Sequence, residues 1–327
     1  MQELPPEARE SLYDLSPADV SVDRAFDRIL GSLRGRLTEA LAAAVHTAGV
    51  LLIVCVLIAL SETLEIHGGA PEYVVFAGVA AIGATALSDF DSYLNRALES
   101  LQAMSDYSKV LLPTLASAAA LSGSAGGAAA KYAATAFFMD LLLEAAKNIV
   151  SPCVCALAAI SIADAAVGNQ TLKAAKKLLR SVCTLSLTAL CTAFTGYLAV
   201  SGVVAESADA VTARMTKTAV STALPVVGGI LSDAAGTLAA AAGVLRASIG
   251  VFGLAATLAM CALPFVSLGS RYLAFRLSAG LCACVADRRM SSLVEDMGTC
   301  FGMLLGLNGA GALMMFFSLY SLLRTVL

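Results

Sequence analysis

The stretch Leu41-Ala-Ala-Ala-Val-His-Thr-Ala-Gly-Val-Leu-Leu-Ile-Val-Cys-Val-Leu-Ile-Ala-Leu60 decides the fold. It carries one histidine and no formally charged side chain. A bilayer core of about 30 Å is crossed by roughly 20 helical residues rising 1.5 Å each, and this block has that length. Val182 to Val204, Ala247 to Leu268 and Cys300 to Leu323 are likewise free of formal charge. A helix satisfies its own backbone hydrogen bonds in lipid, where an open strand does not. The expectation is an all-α, polytopic helical membrane protein with roughly five to eight crossings.

Composition points the same way. Of 327 residues, 58% are hydrophobic and 14% charged, so lipid rather than water surrounds most of the chain. Ala, Leu and Gly dominate, and the period-two alternation of a transmembrane barrel is missing. A formal net charge of −3 without a long basic face speaks against a nucleic-acid partner. Five of the nine cysteines, Cys55, Cys183, Cys191, Cys261 and Cys300, lie inside apolar blocks. Cys153/Cys155 and Cys282/Cys284 form two C-x-C pairs among Ala, Val and Leu. They read as small hydrophobes, because zinc wants C-x2-C spacing or nearby histidines. The histidines, His46 and His67, are far away in sequence. No metal or cofactor is expected.

Residues 1–20 form an acidic, proline-containing lead without the pattern of a secretory signal. Either Leu41 to Leu60 is the first inserted segment or an upstream signal has been removed. Ser21 to Ala40 predicts an amphipathic helix, with Val22, Phe26, Ile29, Leu30, Leu33 and Leu37 on one face. It suits the membrane surface or a protein contact. Residues 41–90 then read as a membrane hairpin.

Beyond residue 90 the chain repeats itself, as residues 91–204 and 205–327. Leu111-Leu112-Pro113 and Ala223-Leu224-Pro225 are offset by 112 residues, as are Val150-Ser151-Pro152 and Ala262-Leu263-Pro264. Each half carries a later basic stretch, with Lys173, Lys176, Lys177 and Arg180 in one and Arg288 and Arg289 in the other. The positive-inside rule puts both at the cytoplasmic face. That implies an even number of crossings between them and a parallel repeat. It also places the Asn169-Gln-Thr171 glycosylation pattern on the wrong side for use.

The proline segments predict broken or re-entrant helices at Pro113 and at Pro225, Gly228, Gly229 and Asp233. An aspartate at the bilayer centre costs about 2.5–3.5 kcal/mol, and irregular backbone is tolerated where protein or water covers it. Asp140, Glu144 and Lys147 fall on one helical face. They line a water-filled passage, or they form the wet face of an interfacial helix. Gly302, Gly306 and Ala310, at i, i+4 spacing, suit close helix or subunit contact. Arg246, Arg271 and Arg276 are expected to snorkel from helix ends, and Asp164 to end a helix near Gly168. No catalytic constellation is visible: there is no H-E-x-x-H and no Ser/His/Asp setting. The glycine runs lack the strand and lysine of a nucleotide site.

Two runs carry a family likeness. Leu224-Pro225-Val-Val-Gly-Gly-Ile-Leu-Ser-Asp233 resembles the proline–glycine–aspartate signature of the stage III sporulation protein AE family. Asp287-Arg-Arg-Met-Ser-Ser-Leu-Val-Glu-Asp-Met-Gly298 resembles the same family's basic loop before its last span. The Leu4-Pro5 start and the order of apolar blocks agree. The resemblance implies a non-enzymatic membrane component of a channel or secretion-like complex joining mother cell and forespore. It implies a place in the mother-cell membrane around the forespore, other membrane proteins of that complex as partners, and a homo-oligomer. Members usually begin with a signal-like segment, which leaves the side occupied by residues 1–40 open. The rival readings are a secondary transporter or permease with a substrate site between the repeats, and a passive membrane scaffold.

Overall fold

The computed structural model describes residues 22–64, 72–88, 90–121, 125–168, 170–223, 228–285 and 287–324. The acidic lead with Leu4-Pro5, Asn169 and Leu224-Pro225-Val-Val lie outside them. Among the described residues the chain is helical and has no strand. The helices are α1 Val22–Leu64, α2 Glu72–Ser88, α3 Phe90–Leu121, α4 Ala125–Ala145, α5 Ser151–Val167, α6 Gln170–Ala223, α7 Gly228–Val285 and α8 Arg288–Arg324. A π-helical turn, Ala146–Val150, joins α4 to α5.

Among the described residues, five stretches are long and apolar enough to cross a membrane: Arg34–Leu60, Tyr132–Val167, Thr171–Tyr197, Ala256–Val285 and Arg288–Tyr320. Four overlap the charge-free blocks read from sequence. Tyr132–Val167 does not, because its charges hid it. The amphipathic stretch before Leu41 and the first span are parts of one uninterrupted helix, α1. No proline separates them there.

Within these spans the outer faces of α1, α6 and α7 are largely apolar. Val45, Ile53 and Leu57 of α1, Leu185 of α6, and Leu277 and Leu281 of α7 are all exposed. An apolar exterior of this extent belongs against hydrocarbon rather than water. In lipid such surface gives helices no hydrophobic reason to associate, so close packing and buried polar contacts hold them together.

Helix α8 is the centre of that packing. Its Leu293, Val294, Met297, Cys300, Phe301, Leu304 and Leu307 are buried against α3, α4, α5 and α7. Phe301 stacks on Phe275 at 5.1 Å between centroids and receives Phe90 and Tyr93 edge-on at 5.8 and 5.7 Å. Such aromatic pairs are worth about 0.5–1.5 kcal/mol each beyond area. Thr135 and Ser318 share a buried hydrogen bond of 2.6 Å between α4 and α8. Cys55 and Cys282 meet Sγ to Sγ at 2.8 Å between α1 and α7.

Gly311 lets α8 approach α3 closely. A Cβ there would lie 2.6 Å from Leu101 Cδ1 and 3.3 Å from Met104 Sδ. Both residues are wholly buried, so their side chains would have to repack to make room. Gly311→Val is therefore expected to cost about 1–3 kcal/mol by overpacking, read as a lower unfolding midpoint in mild detergent. A midpoint unchanged within error would show that α8 does not seat on α3.

Helix α3 runs through Pro113 and α7 runs through Pro264, so the break expected at Pro113 does not occur. A proline removes one backbone donor and frees a carbonyl, and nearby hydroxyls re-satisfy such turns in membrane helices. Here the freed carbonyls are those of Lys109 and Met260; the hydroxyls beside the prolines donate to other acceptors, Thr114 Oγ1 to the Leu111 carbonyl at 2.7 Å and Ser267 Oγ to the Pro264 carbonyl at 3.2 Å. Pro152 instead opens α5 directly after the π turn.

Candidate functional site

Two polar clusters and one groove stand out from the apolar framework. The first cluster is a seam between α3 and α4. Helix α3 has a strongly two-faced sequence: Leu94, Ala97, Leu101 and Met104 are buried, while Gln102, Asp106 and Lys109 turn toward α4. Asp140 pairs with Lys109 at 2.7 Å and accepts a hydrogen bond from Ser105 at 3.0 Å. Lys147 donates to Gln102 at 3.2 Å, and Asn148 donates to Glu144. Gln102 donates to Asp106 at 3.0 Å. Of the three charges read from sequence as one stripe, Asp140 and Lys147 are thus joined to α3, while Glu144 holds Asn148, four residues further along. The partners on α3 were missed, because nothing in local spacing reveals a contact 35 or 45 residues away.

The seam stays open on the outer surface of the chain. The Lys109 side chain is 42% exposed and that of Asp140 54%. The Asp140 carboxylate beside Lys109 holds its ammonium above the ordinary lysine range. The stability that the lysine draws from this partner is therefore fully present below the ordinary lysine pKa, wherever the carboxylate is ionised, and is lost as pH rises through the raised value.

The second cluster is buried and charged. Lys176 Nζ lies 2.6 Å from Asp164 Oδ2 and 2.6 Å from Asp296 Oδ2. The three side chains are 12%, 7% and 21% exposed. They come from the start of α6, the end of α5 and the start of α8. Asp164 does end α5, since its carbonyl accepts from the Gly168 N–H at 2.7 Å. Gly168 takes a left-handed φ of 73°, which favours glycine. Yet its side chain does more than end a helix: it holds Lys176. Lys173, Lys177, Arg180, Arg288 and Arg289 are exposed. The Arg289 guanidinium rests beside Gly168. Both basic stretches therefore lie at the same end of the helix bundle.

Arg271 departs from its expected place. It is 8% exposed and does not reach a helix end. Its Nε donates to the Tyr93 hydroxyl at 2.8 Å, its Nη1 to Thr47 Oγ1, and its guanidinium carbon lies 5.0 Å from the Tyr93 ring centre. One cation on α7 thereby ties α1 to α3. Arg276 stays nearer the surface, pairs with Glu295 at 3.0 Å, and lies 5.6 Å from the Tyr272 ring centre.

A groove of about 770 Å³ runs between α6 and the α7–α8 pair. Gly302, Gly306 and Ala310 line one wall, and Arg180 and Arg276 are among its lining residues. A Cβ at Gly302 would touch Tyr272 at 3.0 Å, whereas one at Gly306 would meet nothing within 4 Å. So Gly302 serves helix contact within the chain, and Gly306 faces open space. Gly228, Gly229 and Asp233 fall in the first turns of α7, where the structure describes the backbone alone. Pro225 lies outside the described residues. Among the described residues no group of three or more His, Cys, Asp and Glu side chains is placed to hold a metal ion.

Comparison with known proteins adds the following. Residues 13–325 match the family model described as stage III sporulation protein AE. Among curated proteins, stage III sporulation protein AE of Bacillus subtilis (strain 168) is 26% identical over 196 residues, 60% of this chain and 49% of that protein. The match thus spans about half the length of that relative. No solved structure matches the chain.

Proposed function

Because the chain belongs to the stage III sporulation protein AE family, and so to the proteins of sporulation, we propose that it is a non-enzymatic membrane subunit of a channel or secretion-like complex between mother cell and forespore. In this reading it sits in the mother-cell membrane around the forespore. It assembles there with further copies of itself and with other membrane proteins of the complex.

The observation that supports a passage is the open α3–α4 seam. Charged groups facing hydrocarbon cost about 2.5–3.5 kcal/mol each near the bilayer centre. Asp140 lies within the span Tyr132–Val167 and is half exposed. A face like this is stable against water or against another protein, and unstable against lipid. Copies arranged with their seams inward would place Asp140, Glu144 and Lys147 around a common opening, while α1 and α6 keep their apolar faces outward.

The test is made in a sporulating host lacking its own copy. The intact chain is expected to restore heat-resistant spores, and a fluorescent fusion to encircle the forespore. Asp140→Asn with Lys109→Gln is expected to lower spore yield while the protein still inserts and assembles. Unchanged spore yield at normal protein levels would remove the seam from the passage. A fusion spread evenly over the outer cell membrane would remove the proposed location.

A further inference from the structure

The groove between α6 and the α7–α8 pair belongs to neither polar cluster. Its lining runs from two arginines, Arg180 and Arg276, past Thr188 and Gly306 to Phe265 and Leu313. It is therefore basic at one end and largely apolar along its length. The basic end is the end of the bundle that carries Lys173, Lys177, Arg288 and Arg289. The bounding spans hold 27, 30 and 33 residues, more than the roughly 20 that cross hydrocarbon. Their first or last turns therefore reach the headgroup layer, and long arginine side chains set slightly deeper extend to it.

From this geometry we infer that the groove is a binding site for one anionic phospholipid. The phosphate sits on Arg180 and Arg276, and an acyl chain lies along Gly306 and Leu313. Charge complementarity selects this occupant. Among the described residues no carboxylate pairs with Arg180. Arg276 gives one nitrogen to Glu295 and is steadied over Tyr272, and a guanidinium has five donors to share. Basic pockets between membrane helices on the cytoplasmic side bind anionic headgroups in this way. The missing side chain at Gly306 leaves room for the chain. The site requires a bilayer and does not depend on the proposed channel.

The chain contains no tryptophan, so Leu313→Trp supplies a single fluorescent reporter inside the groove. The full chain is placed in nanodiscs containing equal mole fractions of chain-brominated phosphatidylglycerol or chain-brominated phosphatidylcholine. Quenching is expected to be stronger with phosphatidylglycerol, and Arg180→Gln should weaken that preference on the order of fivefold. Gly306→Phe fills open space, so it should abolish the preference without lowering the unfolding midpoint. Equal quenching by both lipids would reduce the groove to ordinary lipid contact and overturn the site. So would a preference that survives Gly306→Phe, or an unquenched tryptophan in a particle of two copies, which would make a second chain the occupant. Native mass spectrometry of the unsubstituted chain gives an independent reading. Retained phosphatidylglycerol that drops with Arg180→Gln supports the site, and retention equal in the two proteins overturns it.

Discussion

Lys176→Met is expected to lower the stability of the folded chain by about 3–5 kcal/mol. The ammonium is the shared partner of Asp164 and Asp296, each 2.6 Å away. All three groups are largely buried, so solvent does not screen the loss. Asp164 Oδ1 already has no hydrogen-bond partner, and removing Lys176 would strand the other oxygen as well. Two carboxylates would then face each other in a poorly hydrated space. A buried ion pair contributes little net stability against an apolar replacement, but breaking one side of it is costly. That asymmetry gives the test its second arm. Adding Asp164→Asn and Asp296→Asn to Lys176→Met removes the stranded charges and should recover most of the loss. Unfolding in mild detergent followed by circular dichroism measures both. A loss below about 1 kcal/mol for the single change would mean the triad behaves as an exposed surface pair.

The second large effect is expected at Arg271. Arg271→Ala removes a buried side chain held by Tyr93 and Thr47 and leaves a cavity among α1, α3 and α7. Truncating large buried side chains costs about 2–5 kcal/mol, and a hydrogen bond to a charged donor contributes about 1.5–3 kcal/mol. Thr47 keeps its own bond to the Ala43 carbonyl at 3.0 Å, so the orphan is the Tyr93 hydroxyl. We expect a loss of about 3 kcal/mol. Arg271→Lys should not restore it, because a lysine carries a point charge and not a planar fork that spans two hydroxyls and stacks on a ring. Full rescue by lysine would show that charge alone matters there.

The membrane character and the helical class were legible in charge-free runs such as Leu41 to Leu60. These runs found the apolar middles of spans and lost their ends. The span Thr171–Tyr197 begins 11 residues before Val182, because Lys173, Lys176, Lys177 and Arg180 decorate its first turns. The span Tyr132–Val167 was hidden for the same reason. Asp140 and Lys147 look prohibitive in lipid until α3 supplies Lys109, Ser105 and Gln102. Arg271 was misread as a snorkelling side chain since its partners stand 178 and 224 residues away. Periodicity reports which face of a helix is apolar. It does not report which distant helix completes a polar group on that face. The family likeness, by contrast, rested on two short runs and extends over residues 13–325.

The π turn Ala146–Val150 has a rotational consequence. A wide turn accommodates one residue more than an α-helical turn, and each residue advances the helix by about 100°. Rewinding that turn to α-helical geometry with all its residues kept would swing every side chain downstream around the axis by about that angle, whereas deleting one residue would leave their direction unchanged. On such rewinding Asp164 would point away from Lys176. The aim of one carboxylate at the far end of α5 is thus set by a local irregularity near the middle of the span.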